Sequence, residues 1–403
     1  MEHLAGGCDR CWSTLEKQKE EGDPIQTIRD DVSIRRLLFS AEKELAAARL
    51  EEIESTPPPE RSALLKAPRF FTRAVFDGLL DLGRGAAARG DLEESERWYD
   101  SSLGVLVHLE PRLYGAASIE DQWVKLWSLL GNLRRLADDF AGADAAFRTA
   151  HRHRESGTGD LVVNADLVSL EASLRTDQRR FGEAESLVQR AVELFLEAGD
   201  RHLAGRALLK RVNLLHQQGK TVEALQLLDQ AVEWIEADRE PRLALIAQHN
   251  RINMMCINGR VSEAREAFDA SRSLYERFDE PLMNLRQRWL EGRLALEEGA
   301  TEIAEAKLES AAEGFLERES PLLWALVHLD RAQLLAVSHR HRELATLTAS
   351  LVEVFQSQEI HRETFAALSL LHRSALAQRV TTSMLEEVAR LLQFGPRTQS
   401  KPS

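Results

Sequence analysis

Three residues near the start of the chain, His3, Cys8 and Cys11, have the types and the spacing of metal ligands. A Cys-x2-Cys turn presents both thiolates to one Zn²⁺, and an imidazole supplies a third donor. Three protein ligands fall one short of a closed structural site. The H-x4-C-x2-C arrangement therefore fits an open or water-filled site, a degenerate relic, or a site completed by Glu2, Asp9 or another chain. It equally fits two ordinary reduced thiols on a flexible start. Two His-x-His pairs, His151/His153 and His339/His341, have a spacing that could also hold a metal. Both fall at expected helix ends, where basic side chains complement the dipole. Cys256 lies between Met255 and Ile257 in a helical run, as a small packing residue does. The chain has no G-x-x-x-x-G-K-[ST], H-E-x-x-H, G-x-S-x-G or EF-hand loop. Gly83-Arg84-Gly85 has no strand ahead of it to make a phosphate cradle. Residue chemistry points away from an enzyme.

The elements that position these residues repeat. Pro241, Pro281 and Pro321 are 40 residues apart, as are Gly219, Gly259 and Gly299, and Ala184, Ala224, Ala264 and Ala304. A fixed period of this size marks stacked units that bury their apolar faces against one another. Within a unit, Glu240-Pro241 or Ser320-Pro321 opens a first helix, because proline suits the first helical position. A glycine ends that helix in the left-handed conformation, and a second helix follows. The spacing predicts one antiparallel helix pair per unit.

Composition bounds the rest. The chain has 403 residues, 43% hydrophobic and 29% charged, enough for a large continuous core. Alternating apolar–polar runs are scarce, which argues against sheets. There is no uninterrupted apolar stretch long enough to span a membrane and no secretory signal at the start. Three cysteines do not make a disulfide framework, so a reducing, cytoplasmic setting is the expectation. A net charge of −13 argues against direct nucleic-acid binding. The domain organisation expected is a degenerate zinc-binding motif over 1–24, an amphipathic helix over 25–56, a proline-rich linker over 57–68, a repeat array over 69–395 and a disordered tail over 396–403. The helix carries Ile28, Val32, Leu37, Leu38, Ala41, Leu45 and Leu50, and is expected to pack on the first repeat.

The second helices carry Ala-x3-large-x2-small: Ala184, Val188, Ala191; Ala224, Leu228, Ala231; Ala264, Phe268, Ser271; Ala304, Leu308, Ala311. Ala143, Phe147 and Ala150 fit, and Ser95, Tyr99 and Ser102 fit loosely. Trp127-x2-Leu130-Gly131 and Gly292 supply the first-helix pattern. These columns resemble the tetratricopeptide repeat, with helices together about six residues longer than its usual unit. Long units of this kind resemble the sensor arrays of some bacterial signalling regulators. The resemblance implies an all-α, right-handed helical-hairpin solenoid, a superhelix preceded here by a short N-terminal module. It also implies that the position after the glycine column faces the concave surface, where peptide-binding members often place Asn. That column reads Arg84, Asn132, Ser173, Asn213, Asn253, Arg293 and Gln333. A neighbouring column places Arg211, Arg251, Glu291 and Arg331 where the family prefers Leu. Stacking is expected to bring Arg251, Glu291 and Arg331 into an ion ladder, with Arg211 and Arg251 alternatively forming a site for an acidic partner.

The start of the chain resembles the His-Leu…Cys-x2-Cys motif of zinc-binding anti-sigma factors, which hold an RNA polymerase sigma subunit inactive. It departs from that motif in the gap between His3 and Cys8, four residues instead of three, and in having only Met1 and Glu2 upstream for a fourth ligand. The expected function is a non-enzymatic scaffold or regulator that grips a peptide or protein partner in the groove, with a tilt towards transcriptional regulation. The competing readings are a sensor of a small peptide or metabolite, and an unrecognised hydrolase.

Overall fold

The computed structural model describes residues 24–278, 280–356 and 362–394. Among them are twenty α-helices and no strand. The chain divides into two compact units, the first ending at Asp200 and the second beginning at Arg201.

The first unit opens with α1 (Pro24–Ser55) and α2 (Pro58–Leu64), followed by a 3-10 turn over Pro68–Phe70. The segment 57–68, expected as an extended proline-rich linker, is thus largely helical. Pro58 and Pro59 lie in the first turn of α2, where a missing N–H breaks no intrahelical bond. Helix α1 packs on α3 (Arg73–Ala88). Ile53 is fully buried there, and Leu50 lies against Gly78, where an added Cβ would come within 2.3 Å of Leu50 Cδ1. A long-range polar tie joins α1 to the array: Tyr114 Oη donates to Glu42 Oε1 at 2.6 Å. Burial pushes the Glu42 carboxyl up, and the tyrosine bond opposes that rise.

Three hairpins complete this unit. Helix α3 pairs with α4 (Leu92–Leu106); after the short α5 (Pro111–Tyr114), α6 (Ala116–Leu136) pairs with α7 (Phe140–Glu155), and α8 (Leu161–Asp177) with α9 (Phe181–Glu197). Side-chain caps fix several starts: Thr72 accepts from Val75 N, Asp91 from Glu94 N, Asp139 from Gly142 N, and Asp160 from Val162 and Val163 N. Each satisfies donors that the first turn leaves open.

The second unit holds five hairpins: α10 (Arg201–Gln217) with α11 (Thr221–Trp234), α12 (Pro241–Ile257) with α13 (Val261–Ala270), α15 (Pro281–Glu297) with α16 (Thr301–Glu317), α17 (Pro321–Val337) with α18 (His341–Gln356), and α19 (Arg362–Leu376) with α20 (Thr382–Phe394). Only the second of these breaks its second helix, which resumes after Ser271 as α14 (Arg272–Glu276). Ser271 Oγ bonds back to Ala267 O at 2.6 Å, a contact that bends helices.

The turn between paired helices is one device repeated. Gly219, Gly259 and Gly299 have φ of 75°, 71° and 75°, and the next residue's N–H reaches five residues back: Lys220 to Leu215, Arg260 to Met255, Ala300 to Ala295. That 6→1 bond is the Schellman closure. One period to either side, Arg179 and His339 hold the same turn at φ 60° and 56°, with Arg180 bonded to Arg175 and Arg340 to Leu335.

The core is the repeat motif itself. The small residues Ala143, Ala150, Ala184, Ala191, Ala224, Ala231, Ala264, Ala304 and Ala311 are fully enclosed. In three hairpins the large residue of the second helix fills the space left by a first-helix glycine. Tyr99 lies against Gly83, Phe147 against Gly131 and Leu308 against Gly292. An added Cβ there would come within 2.3, 3.0 and 2.8 Å of those side chains. Close packing of this kind is what fixes the helix separation.

Candidate partner-binding surface

The residues singled out as a groove column divide between the units, and each share is described by itself. In the first unit Asn132 lies on α6 and Ser173 on α8, both half-buried. Asn132 Oδ1 accepts from Arg135 Nε at 3.0 Å, and Arg135 reaches the next hairpin through Asp177 at 2.6 Å. Nearby on the second-helix side, His151 pairs with Glu171 at 2.7 Å, while His153 pairs with Glu120 and stacks on Trp123. The two imidazoles thus serve different carboxylates. His339 lies in a left-handed turn, its ring 6.0 Å from that of His341.

In the second unit the first helices of successive hairpins form a layer bearing Asn213, Asn253, Arg293 and Gln333 at one-repeat intervals. Asn213 is exposed; the other three are half-buried and bonded across the layer. Arg293 donates to Asn253 Oδ1 on one side. On the other it forms a forked pair with Asp330, Nη2 to Oδ1 at 2.8 Å and Nε to Oδ2 at 3.1 Å. Trp289 Nε1 donates to the same carboxylate, and the Arg293 guanidinium lies 5.3 Å from the Trp289 ring. Gln333 Nε2 reaches Glu297 Oε1 at 3.4 Å. Burial pushes the Glu297 carboxyl up; Gln333 and Arg293 pull it down, and the charges of Asp330 and Glu386 push it up again.

This network was missed from sequence. Asp330 sits three positions before Gln333, where an acid reads as solvent-facing, yet it is buried. The available signal was the spacing: Trp289 and Arg293 share a helical face, and Asp330 follows Arg293 by nearly one repeat period.

The ion ladder expected of Arg251, Glu291 and Arg331 does not form between first helices. Arg251 Nε instead pairs with Asp229 at 2.6 Å and Arg331 Nη2 with Glu309 at 3.2 Å, each on the second helix of the preceding hairpin. Glu291 pairs with Lys307 on its own hairpin's second helix. These side chains point into the seam between helices, so the partner lies across the seam and not along the layer. Arg211 is half-buried on α10. Arg286 differs from both: no hydrogen-bond acceptor or ion-pair partner meets it among the described residues, and burial lowers its pKa, with Arg242 adding to the effect.

Helix α20 lies on this same layer. The other second helices of the unit pack on their own first helix and on that of the following hairpin, as α11 does on α12, α16 on α17 and α18 on α19. Helix α20 packs on α19 and on α17, the first helix of the preceding hairpin. Its Glu386 carries its charge to Glu297 on α15, and Gln393 hydrogen-bonds the His216 ring on α10. Leu385 and Val388 are buried within the cluster that holds Leu326, Leu329, Leu368 and Leu371.

Two other places could do chemistry. Cys256 is buried, and burial pushes its thiol up to about 11, which keeps it a protonated packing group at neutral pH. A cavity of about 360 Å³ lies among α16, α17 and α18, lined in part by Glu305, Arg331, Arg340 and Glu343. Its Arg340 is already committed to Glu305 at 2.7 Å and Glu343 at 2.6 Å. His3, Cys8 and Cys11 lie outside the described residues, as does the tail 396–403. No described helix is long and apolar enough to cross a membrane.

No protein-family model and no curated protein sequence matches the chain. Solved structures do. A Rap protein complexed with competence and sporulation factor is 12% identical, with a TM-score of 0.55 over 79% of this chain and 87% of that one. Aspartyl phosphate phosphatase F from Bacillus subtilis is 13% identical, covering 95% of this chain and 91% of that one at a TM-score of 0.49. The apo form of the quorum sensor NprR from B. thuringiensis is 15% identical, covering 89% and 100% at 0.49. At such identities the first likeness speaks for the fold alone. In fold, the chain is a tetratricopeptide-like helical repeat protein.

Proposed function

We propose that the protein is a non-enzymatic binding regulator that grips a peptide or protein partner along the first-helix layer of its second unit. One observation carries this reading: polar groups recur on that layer at one-repeat intervals, from exposed Asn213 through Asn253, Arg293 and Gln333. An amide offers a donor and an acceptor, so such a row can follow the backbone of an extended or helical segment. Arg293 and Asp330 hold the row's centre rigid through their shared network. The solved Rap structure of the same fold is a complex with competence and sporulation factor, which supports a small peptide as the second reading.

The test is capture from a native lysate with two baits, the full chain and an Asn213→Ala/Asn253→Ala variant. A protein retained by the first and lost by the second is the expected result. Equal retention by both moves the interface off this layer. A peptide sensor is distinguished by thermal stabilisation with the low-molecular-weight fraction of the same lysate, since a ligand that binds only the folded state raises the melting temperature. The zinc reading of His3, Cys8 and Cys11 is separable. Stoichiometric zinc on the full chain, lost in Cys8→Ser/Cys11→Ser, supports the version in which the array regulates a sigma factor. Without zinc the array is a plain scaffold.

A further inference from the structure

We propose that the stretch of first-helix layer spanning α10, α15 and α17 is a helix-docking surface whose resident occupant is the chain's own α20. A partner would engage it by presenting an amphipathic helix of the α20 pattern in place of α20. The inference rests on the reading of this layer as the binding face.

Placement comes first. A terminal second helix that simply closed the stack would sit against α19 on the second-helix side. Helix α20 instead packs on α17 and reaches α10, with Gln393 bonded to His216. It thereby covers ground beside Gln333 and Glu297, next to the Arg293 network. The surface it meets suits a helix: apolar side chains at its middle, and at one edge the His216 imidazole, which meets the Gln393 amide of α20.

The pattern of the occupant defines the partner. Leu385, Val388 and Leu392 recur at three- and four-residue spacing, with Met384 beside them, which is the anchor spacing of helix-in-groove recognition. The opposite face is polar and carries the Glu387–Arg390 pair.

The seat is also imperfect, as a displaceable occupant requires. Glu386 adds its charge against that of Glu297; both carboxylates are exposed, so the repulsion between them is modest and screened by salt. Among the described residues α20 buries two apolar side chains, Leu385 and Val388, whereas α17 buries ten residues, so α20 is the element with less to lose on leaving. A competing helix with a neutral residue at the Glu386 position escapes the repulsion and outbinds the native sequence.

The probe is a labelled synthetic peptide of residues 382–394, with a second version carrying Glu386→Gln. It is titrated into the full wild-type chain and into the full chain carrying Leu385→Asp and Val388→Asp, which unseats α20. Tethering gives α20 an effective concentration on the order of millimolar. The expected result is therefore binding to the variant at least tenfold tighter than to wild type, with the Glu386→Gln peptide tighter than the native one. Equal binding to both chains, or no binding to a variant that keeps its helix content, overturns the proposal. If the variant does not fold, hydrogen exchange on the wild-type chain decides. Amides of α20 should exchange faster than those of α17 and lose protection further when the Glu386→Gln peptide is added. Exchange of α20 in step with α17, unmoved by peptide, overturns it. A lysate partner that binds this layer and leaves α20 protected would refute this inference alone, because the probe is the chain's own helix.

Discussion

Acid should loosen the second unit through His328. This ring is buried on α17, tilted against the Trp324 ring at 4.1 Å, with Nδ1 3.0 Å from the Trp324 carbonyl. A carbonyl only accepts, so Nδ1 carries a proton; that bond favours the charged ring, and burial outweighs it. Burial, with the Arg331 charge adding to it, lowers the pKa from 6.5 to about 4. Between those values the unfolded chain binds a proton that the folded chain refuses, so stability falls as pH drops from 6.5 towards 4 and is intact above 6.5. From pH 7 to pH 5 the difference integrates to roughly 2 kcal/mol. For a unit of this size that is a loss of about 4–8 °C in melting temperature. His249, bonded to Tyr275 and lowered by burial to about 4, acts in the same sense. Lowered to the same value, it adds a comparable pH dependence, which is present in both chains of the comparison and cancels. Glu297, raised by burial, works in the opposite sense. The contribution of His328 is therefore read as a difference between wild type and His328→Asn, in which the amide replaces Nδ1. Unfolding is followed at pH 7 and pH 5 by hydrogen exchange of α17 amides, corrected for intrinsic rates, because two units need not melt together. The variant should lose most of the 2 kcal/mol pH dependence. An unchanged dependence would mean that His328 is protonated in the folded chain, and the reasoning from its burial fails.

The packing of the hairpins gives a second expectation. In Gly292→Ala the new methyl would lie 2.8 Å from Leu308 Cγ and 3.2 Å from the Leu308 backbone nitrogen, costing about 1–3 kcal/mol by overpacking. Combined with Leu308→Ala it should cost less than the sum of the two single changes, since the same space is involved; urea midpoints of the four chains check it. In the polar network, Arg293→Met leaves Asp330 buried without its cation and should destabilise the unit by about 3–5 kcal/mol. Adding Asp330→Leu should recover much of that, and recovery is scored by the same midpoints.

The repeat was legible because its residues are chosen by packing, and packing shows in residue type. Ala304, Leu308 and Ala311 could be placed from their spacing alone, and all three are fully buried. The glycine turns were legible for the same reason, since only glycine adopts that conformation freely. Arg179 and His339 hold the turn without glycine, and residue type carries no trace of it; the 40-residue period is the clue. The helix in 57–68 was hidden because three prolines read as extended chain, although the first turn of a helix tolerates them. The candidate surface was legible only as a column of positions. Asn253, Arg293 and Gln333 do share a layer, but the acid that organises them lies on a different column. Nor could sequence say which side of α17 the last helix takes, because α20 has an apolar stripe that suits either side.

That last placement also bears on the order in which the unit assembles. Side-chain bonds between neighbouring hairpins join residues about one period apart, as Arg293 joins Asn253 at a separation of 40 and Asp330 at 37. Such short loops close fast, and hairpins of this kind can nucleate anywhere and add neighbours one at a time. The bond from Gln393 to His216 is different in kind, since it spans nearly the whole unit and needs a surface made from several hairpins at once. A stack of the last two hairpins already offers α17 and α19 to α20, and only the His216 contact waits on α10. During synthesis α20 emerges after α10, so that contact forms with both partners already made.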